Sequence, residues 1–277
     1  MARNAERIPI AEAPTPPETP DPAPTAEQPL TVNIPVNFVE LPSGGRFYAD
    51  EHPLYSQPVV EIKFMTTREE EILNSPTLVR RGLAIDRLIQ SLLIDKKIKV
   101  QSLLIGDKNA ILVAARSDAY GSDYNINVTC PICTERDQIS CDLEELSHKE
   151  LADDVEINEN RNVIITLPRT KAKIELRFLT GQDEEVINKF SKKGKKYKME
   201  NNLSLQYKQM IVSINGDPSR LKVAEFIDKM PAFDSRYLRT KYQEIAPDVD
   251  LGFDFYCQHC GEEQRMEVPI TVNFFWP

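Results

Sequence analysis

Apolar and polar positions alternate with a period of two at both ends of the chain. Leu30, Val32, Ile34, Val36 and Phe38 alternate with polar residues or proline, and Met266, Val268, Ile270, Val272, Phe274 and Trp276 repeat the pattern. That period sets all the apolar side chains on one face of an extended strand. Pro35 restricts the first run to an edge strand or a docked arm. Residues 59–65, 124–129 and 251–256 read as further strands. Segments 162–167 and 172–178 form a hairpin that turns at Pro168-Arg169-Thr170-Lys171. Elsewhere the period lengthens to that of a helix. Thr66 or Thr67 caps a helix with Glu69 to Glu71 in its first turn. Pro76 and Gly82 separate it from a helix over 83–94, where Ala84, Leu88, Leu92 and Ile85, Ile89, Leu93 make a broad apolar face. A helix over 107–119 turns Ile111, Ala114 and Ala115 inward, and the acidic stretch 143–154 is helix-prone. Helices over 182–192, 203–214, 219–230 and 234–245 follow, punctuated by Asp217-Pro218 and Pro231. The fold class expected is α+β, with helical subdomains joined to small β elements.

Length and composition divide this pattern. The 277 residues suggest about two domains. Residues 1–29 hold eight of the twenty prolines, no glycine and few large apolar side chains, the composition of a disordered or polyproline-like arm. Residues 30–123 form a mainly helical domain with edge strands, and 124–277 a second domain in which about 143–250 is a helical insertion. The formal net charge of −9 argues against a general nucleic-acid binder. The lysine run at 192–198 is the one basic patch, and a solvated helix end is its simpler reading. No apolar run approaches the roughly 20 residues of a membrane span, and the first thirty residues lack the apolar core of a signal peptide. A soluble protein in a reducing compartment is expected.

Cysteine spacing carries the chemistry. Cys130-Pro131-Ile132-Cys133 and Cys257-Gln258-His259-Cys260 are two CxxC units, and Cys141 stands apart. In a reducing compartment such pairs read as a metal site before they read as bridges. Each unit lies between strand-like segments, as in a zinc knuckle, and four thiolates select zinc over harder cations. The expected site is thus a bipartite zinc-ribbon-like centre of Cys130, Cys133, Cys257 and Cys260 holding a structural Zn²⁺. An iron–sulfur cluster, two redox pairs or incidental cysteines are the competing readings. Cys141 reads as a packed thiol, and His259 as solvent-facing. Catalytic constellations are thin: His52, His148 and His259 form no HExxH, and no GxSxG occurs. Leu41-Pro42-Ser43-Gly44-Gly45 lacks a Walker lysine and reads as a structural turn. The acidic pairs Glu69-Glu70 and Glu184-Glu185 fit solvated helix faces.

Taken in order, Leu41-Pro42-Ser43-Gly44-Gly45-Arg46-Phe47-Tyr48, His52-Pro53-Leu54-Tyr55, Gly82-Leu83-Ala84-Ile85-Asp86-Arg87-Leu88-Ile89, Leu104-Ile105-Gly106-Asp107-Lys108-Asn109-Ala110 and Val128-Thr129-Cys130-Pro131-Ile132-Cys133 resemble a family of baseplate proteins of T-even-type contractile-tailed bacteriophages. The resemblance spans about residues 36–270 and leaves out the Pro-rich arm. It implies a hub subunit or assembly factor, located in the host cytoplasm during assembly and in the virion tail baseplate. Other baseplate and hub proteins would be its partners, and it supplies no catalytic residues. The function expected is structural or assembly work by protein–protein binding, with no enzymatic turnover, no membrane and no small-molecule substrate. A zinc-ribbon nucleic-acid adaptor, such as a phage transcription factor, is the rival. The two apolar ends either complete the protein's own sheets or add strands to a neighbour, and the Pro-rich leader favours the second use for the N-terminal run.

Overall fold

The computed structural model describes residues 33–149, 155–197 and 202–276. The arm 1–29 and the beginning of the first apolar run lie outside them, as do the side chains of the lysine run. Strand β1 (Val36–Glu40) pairs antiparallel with β2 (Val59–Lys63), Val36 opposite Lys63 and Glu40 opposite Val59. The expected alternation is present, but its apolar face is reversed. Val39, Val60 and Ile62 enter the core, whereas Val36 and Phe38 face outward. The register decides this: Asn37 shares the inner face and both Asp118 oxygens accept from its amide.

The loop joining these strands is a structural turn. Asp107, wholly buried, accepts from the Ser43 N–H (3.0 Å), the Ser43 hydroxyl (2.7 Å) and the Tyr48 hydroxyl (2.7 Å). A protein carboxylate thus takes the position in which an anion would meet the loop. Burial pushes the Asp107 carboxyl above the usual range, although all three donors favour its ionised form.

Helix α1 (Thr67–Asn74) starts at a capping box. Glu69 Oε2 accepts from the Thr66 N–H and hydroxyl, and its Oε1 from Lys63 and Ser91. Pro76 opens the short α2 (Pro76–Arg81), where its missing N–H is harmless, and Gly82 ends it at φ 72°. Helix α3 (Ala84–Leu92) buries Ala84, Leu88, Ile89 and Leu92, and Leu93 bridges to Ile62 on the far edge of β2. Helix α4 (Ile105–Tyr120) is buried nearly all round. It encloses Ile111 and Ala115 as expected, with Ala114 half-buried, but also Asp107, Lys108 and Arg116. Lys108 is paired with Asp86 of α3 and with Glu184.

The hairpin β3 (Asp123–Thr129) and β4 (Arg136–Asp142) follows, then the segment 143–250 that the sequence predicts as an insertion. Its described beginning, residues 143–149, is turn and bridge rather than helix. Asp142 caps the Glu144 N–H, and His148 bridges to Val249. Asp250 N–H donates to Ser147 O and Lys149 N–H to Asp248 O, so the two ends of the insertion meet. Strands β5 (Glu156–Ile157), β6 (Val163–Thr166), β7 (Lys173–Leu176) and β8 (Ile211–Ile214) lie antiparallel in that order. The turn between β6 and β7 stands where expected, held by Asp234, whose oxygens accept from the Arg169 and Thr170 N–H groups. Helices α5 (Gly181–Tyr197), α6 (Asn202–Met210), α7 (Arg220–Lys229) and α8 (Ala232–Ile245) complete this segment, with α6 and α7 packed on β8. The expected helix 203–214 stops at Met210, because Ile211 to Ile214 pair with β7 as β8. At Gly106 an added Cβ would stand 1.9 Å from Pro247 O, so only glycine lets α4 begin against the end of the insertion.

The last hairpin is β9 (Gly252–Tyr256) with β10 (Glu263–Glu267). The terminal alternation breaks there. Val272–Phe275 is a 3-10 turn in which the consecutive Phe274 and Phe275 are both fully buried, in place of the expected strand with one apolar face. Phe274 meets Tyr124 edge-on at 5.0 Å, and Arg116 Nε donates to its carbonyl. The hydrophobic core is continuous on both sides of position 123.

Candidate metal centre

Each CxxC unit forms the turn of a hairpin. The β3–β4 ladder ends at Thr129 opposite Arg136, and β9–β10 at Tyr256 opposite Glu263. The two turns are then built alike. Cys130 N–H donates to Glu135 O and Cys257 N–H to Glu262 O, both at 2.9 Å. Thr134 N–H donates to Cys130 O and Gly261 N–H to Cys257 O, again at 2.9 Å. Thr134 and Gly261 hold positive φ, 62° and 73°, which curls each chain so that successive N–H groups face inward, as in a nest. Glycine adopts this without strain; at 134 the threonine hydroxyl donates to Cys133 O.

These hairpins bring the four expected sulfurs together. The Cys130–Cys260 sulfurs are 3.7 Å apart and the Cys133–Cys257 sulfurs 3.6 Å, and all four lie within 4.8 Å of one another. Zinc–sulfur bonds of about 2.3 Å would place tetrahedral sulfurs about 3.8 Å apart, so the cluster has the size for that ion. Cys130 and Cys257 are buried, Cys133 is half-buried and Cys260 exposed. The Cys133 N–H, and less strongly the Ile132 N–H, hold the Cys130 thiol below its ordinary value. At Cys133 and Cys260 the N–H groups of Glu135 and Glu262 favour thiolate, but burial and the neighbouring sulfurs hold the thiols above it. Four cysteine sulfurs at this spacing can hold a metal ion, and soft sulfur donors with no carboxylate among them suit zinc.

Cys141 lies on β4 outside the cluster, and burial pushes its thiol up. His259 is half exposed, as expected; its Nε2 lies 3.6 Å from Asp137 Oδ1 on the other hairpin. That link across the two hairpins was not visible in the sequence, because Asp137 and His259 belong to no local motif. A second close pair is not poised for catalysis. His52 Nε2 is 2.8 Å from Ser102 Oγ, but His52 Nδ1 accepts from the Leu54 N–H. Nε2 therefore carries the proton, while the serine hydroxyl donates to Lys99 O, so the imidazole does not act as a base toward Ser102.

Fold and site together define a mixed helix-and-sheet scaffold whose paired cysteines from two hairpins gather in one cluster. Residues 33–276 match the family model described as T4 bacteriophage base plate protein, and the chain belongs to that family. Comparison with curated proteins and with solved structures gave no match. Among the described residues no helix is long and apolar enough to cross a membrane.

Proposed function

We propose that this chain is a structural or assembly protein of the hub region of a phage tail baseplate. It acts by binding neighbouring baseplate proteins, and Zn²⁺ held by Cys130, Cys133, Cys257 and Cys260 fastens its two knuckle hairpins. The observation that carries the reading is family membership over almost the whole described chain. The sulfur cluster supports the zinc, since a closed four-thiolate site leaves no position for a substrate or an activated water. The metal then has a mechanical role. It joins β3–β4 to β9–β10 at their turns, while the ends of the intervening segment are bridged at His148 and Val249. The protein would be assembled in the host cytoplasm and carried in the virion tail. Deleting the gene from the phage tests this: infected cells should accumulate heads without complete tails. Normal infectious tails from the deletion phage would refute the assembly role.

A further inference from the structure

Among the described residues, strand β1 presents a free edge. In the β1–β2 ladder, Phe64 N–H donates to Pro35 O and Leu41 N–H to Pro58 O. With the one-to-one register between them, the odd-numbered residues of β1 form the hydrogen-bonded pairs. The even-numbered residues Val36, Phe38 and Glu40 therefore turn their N–H and C=O groups away from β2. Asn37 Oδ1 takes the Phe38 N–H (2.7 Å). Among the described residues no third strand pairs with β1 or β2, and their sheet has two strands. Its opposite edge is covered, since Leu93 bridges Ile62 and Ile94 N–H donates to Glu61 O.

The same edge carries exposed apolar surface. Val36 is 42% and Phe38 64% exposed, and Ile34 continues the line. Natural edge strands are normally blunted by charge or proline, and an exposed apolar one is a template for pairing. Beyond the edge lies a groove of about 260 Å³, floored by Ala110, Ala114 and Ser117 of α4 and walled by Leu146. Small floor residues leave room for the side chains of an added strand. The acidic residues Glu40, Asp118 and Glu144 line the groove together with His148, and among the described residues no lysine or arginine does. On the outer face, Glu61 stands opposite Phe38.

We infer that the free edge of β1 is a docking strand that takes an extended segment of a partner protein, one alternating apolar with basic residues. Backbone pairing would use the outward groups of Val36 and Glu40. Inward side chains of the segment would fill the groove over Ala114. Outward lysines would lay their stems over Val36 and Phe38 and reach Glu40 and Glu61 with their heads. The acidic groove disfavours this protein's own arm, since residues 1–32 carry two arginines against five carboxylates and eight prolines. The inference deepens the binding role proposed above by giving it a surface. Its test does not involve the baseplate, so the two can fail separately.

The probe is a short end-capped peptide alternating valine with lysine, titrated onto the full-length protein at low salt, with a valine–glutamate peptide beside it. The lysine peptide should bind and the glutamate peptide should not. Glu40→Pro removes one outward N–H without touching the β1–β2 ladder, and it should weaken binding about tenfold. Phe38→Lys alters an exposed side chain, should leave metal content and melting temperature unchanged, and should abolish binding by like charge. If Glu40→Pro unfolds the protein, Phe38→Lys alone decides. No binding of the lysine peptide, or binding unchanged by the folded variants, overturns the inference. So does equal binding of the glutamate peptide. Self-association of the chain that the peptide displaces would make a second copy the occupant, and would equally overturn it.

Discussion

Glu69→Gln should cost about 2 kcal/mol of stability at neutral pH, and the cost should vanish in acid. The Glu69 side chain is fully buried, and it joins three elements. Its oxygens accept from Lys63 of β2 (2.7 Å), Ser91 of α3 (2.6 Å) and the Thr66 cap of α1 (2.6 and 3.0 Å). Burial alone would raise its pKa, but these donors overcome that and hold it at about 2, against an ordinary 4.5. By linkage that difference is a ceiling of about 3 kcal/mol. Lys63 is 23% exposed, so solvent screens part of the ion pair and about 2 kcal/mol is the working value. Because the folded-state pKa is depressed, the stabilisation is complete above the unfolded carboxyl's range and is lost as pH falls from about 4.5 through 2. The glutamine variant has no such component. The assay is urea denaturation of both proteins at pH 7, 5, 4 and 3. Acid release of the proposed metal would affect both chains alike and cancel in the difference. A difference below about 0.5 kcal/mol at pH 7, or one that stays constant down to pH 3, would refute the ion-pair account.

Two further substitutions test the packing and the metal. Phe274→Ala should lose about 3–4 kcal/mol in denaturant unfolding, because a fully buried ring is removed from between Tyr124 and Phe275; a loss under about 1 kcal/mol would mean that the C-terminal turn is not part of the core. Cys257→Ser should release zinc and lower the melting temperature sharply, whereas Cys141→Ser should keep both. Metal analysis showing equal damage from the two would mean that the ligand set is wrong.

What was legible in the sequence was what neighbouring residues decide. A CxxC turn is fixed by its own six residues, so both knuckles could be read before their partners were known, although Cys133 and Cys257 are far apart in the chain. The hairpin at 163–176 and the start of α1 were legible for the same reason. Long-range pairing hid the rest. Ile211 to Ile214 continue a helical pattern from Leu203, yet the open edge of β7 takes them as a strand. Val36 and Phe38 carry the right alternation for a core strand, but period alone does not say which face turns inward. The buried charges were invisible because their partners are remote, Glu184 for Lys108 and Ser43 for Asp107. Phe274 and Phe275 looked like a strand end until the turn at 272–275 buried both.

The most direct test of the central claim is quantitative mass spectrometry of purified tail baseplates and of their hub assembly intermediates. A structural or assembly role predicts this chain in one or both, at a fixed ratio to the hub proteins. Its absence from baseplates and intermediates alike, in cells that contain it, would contradict the account.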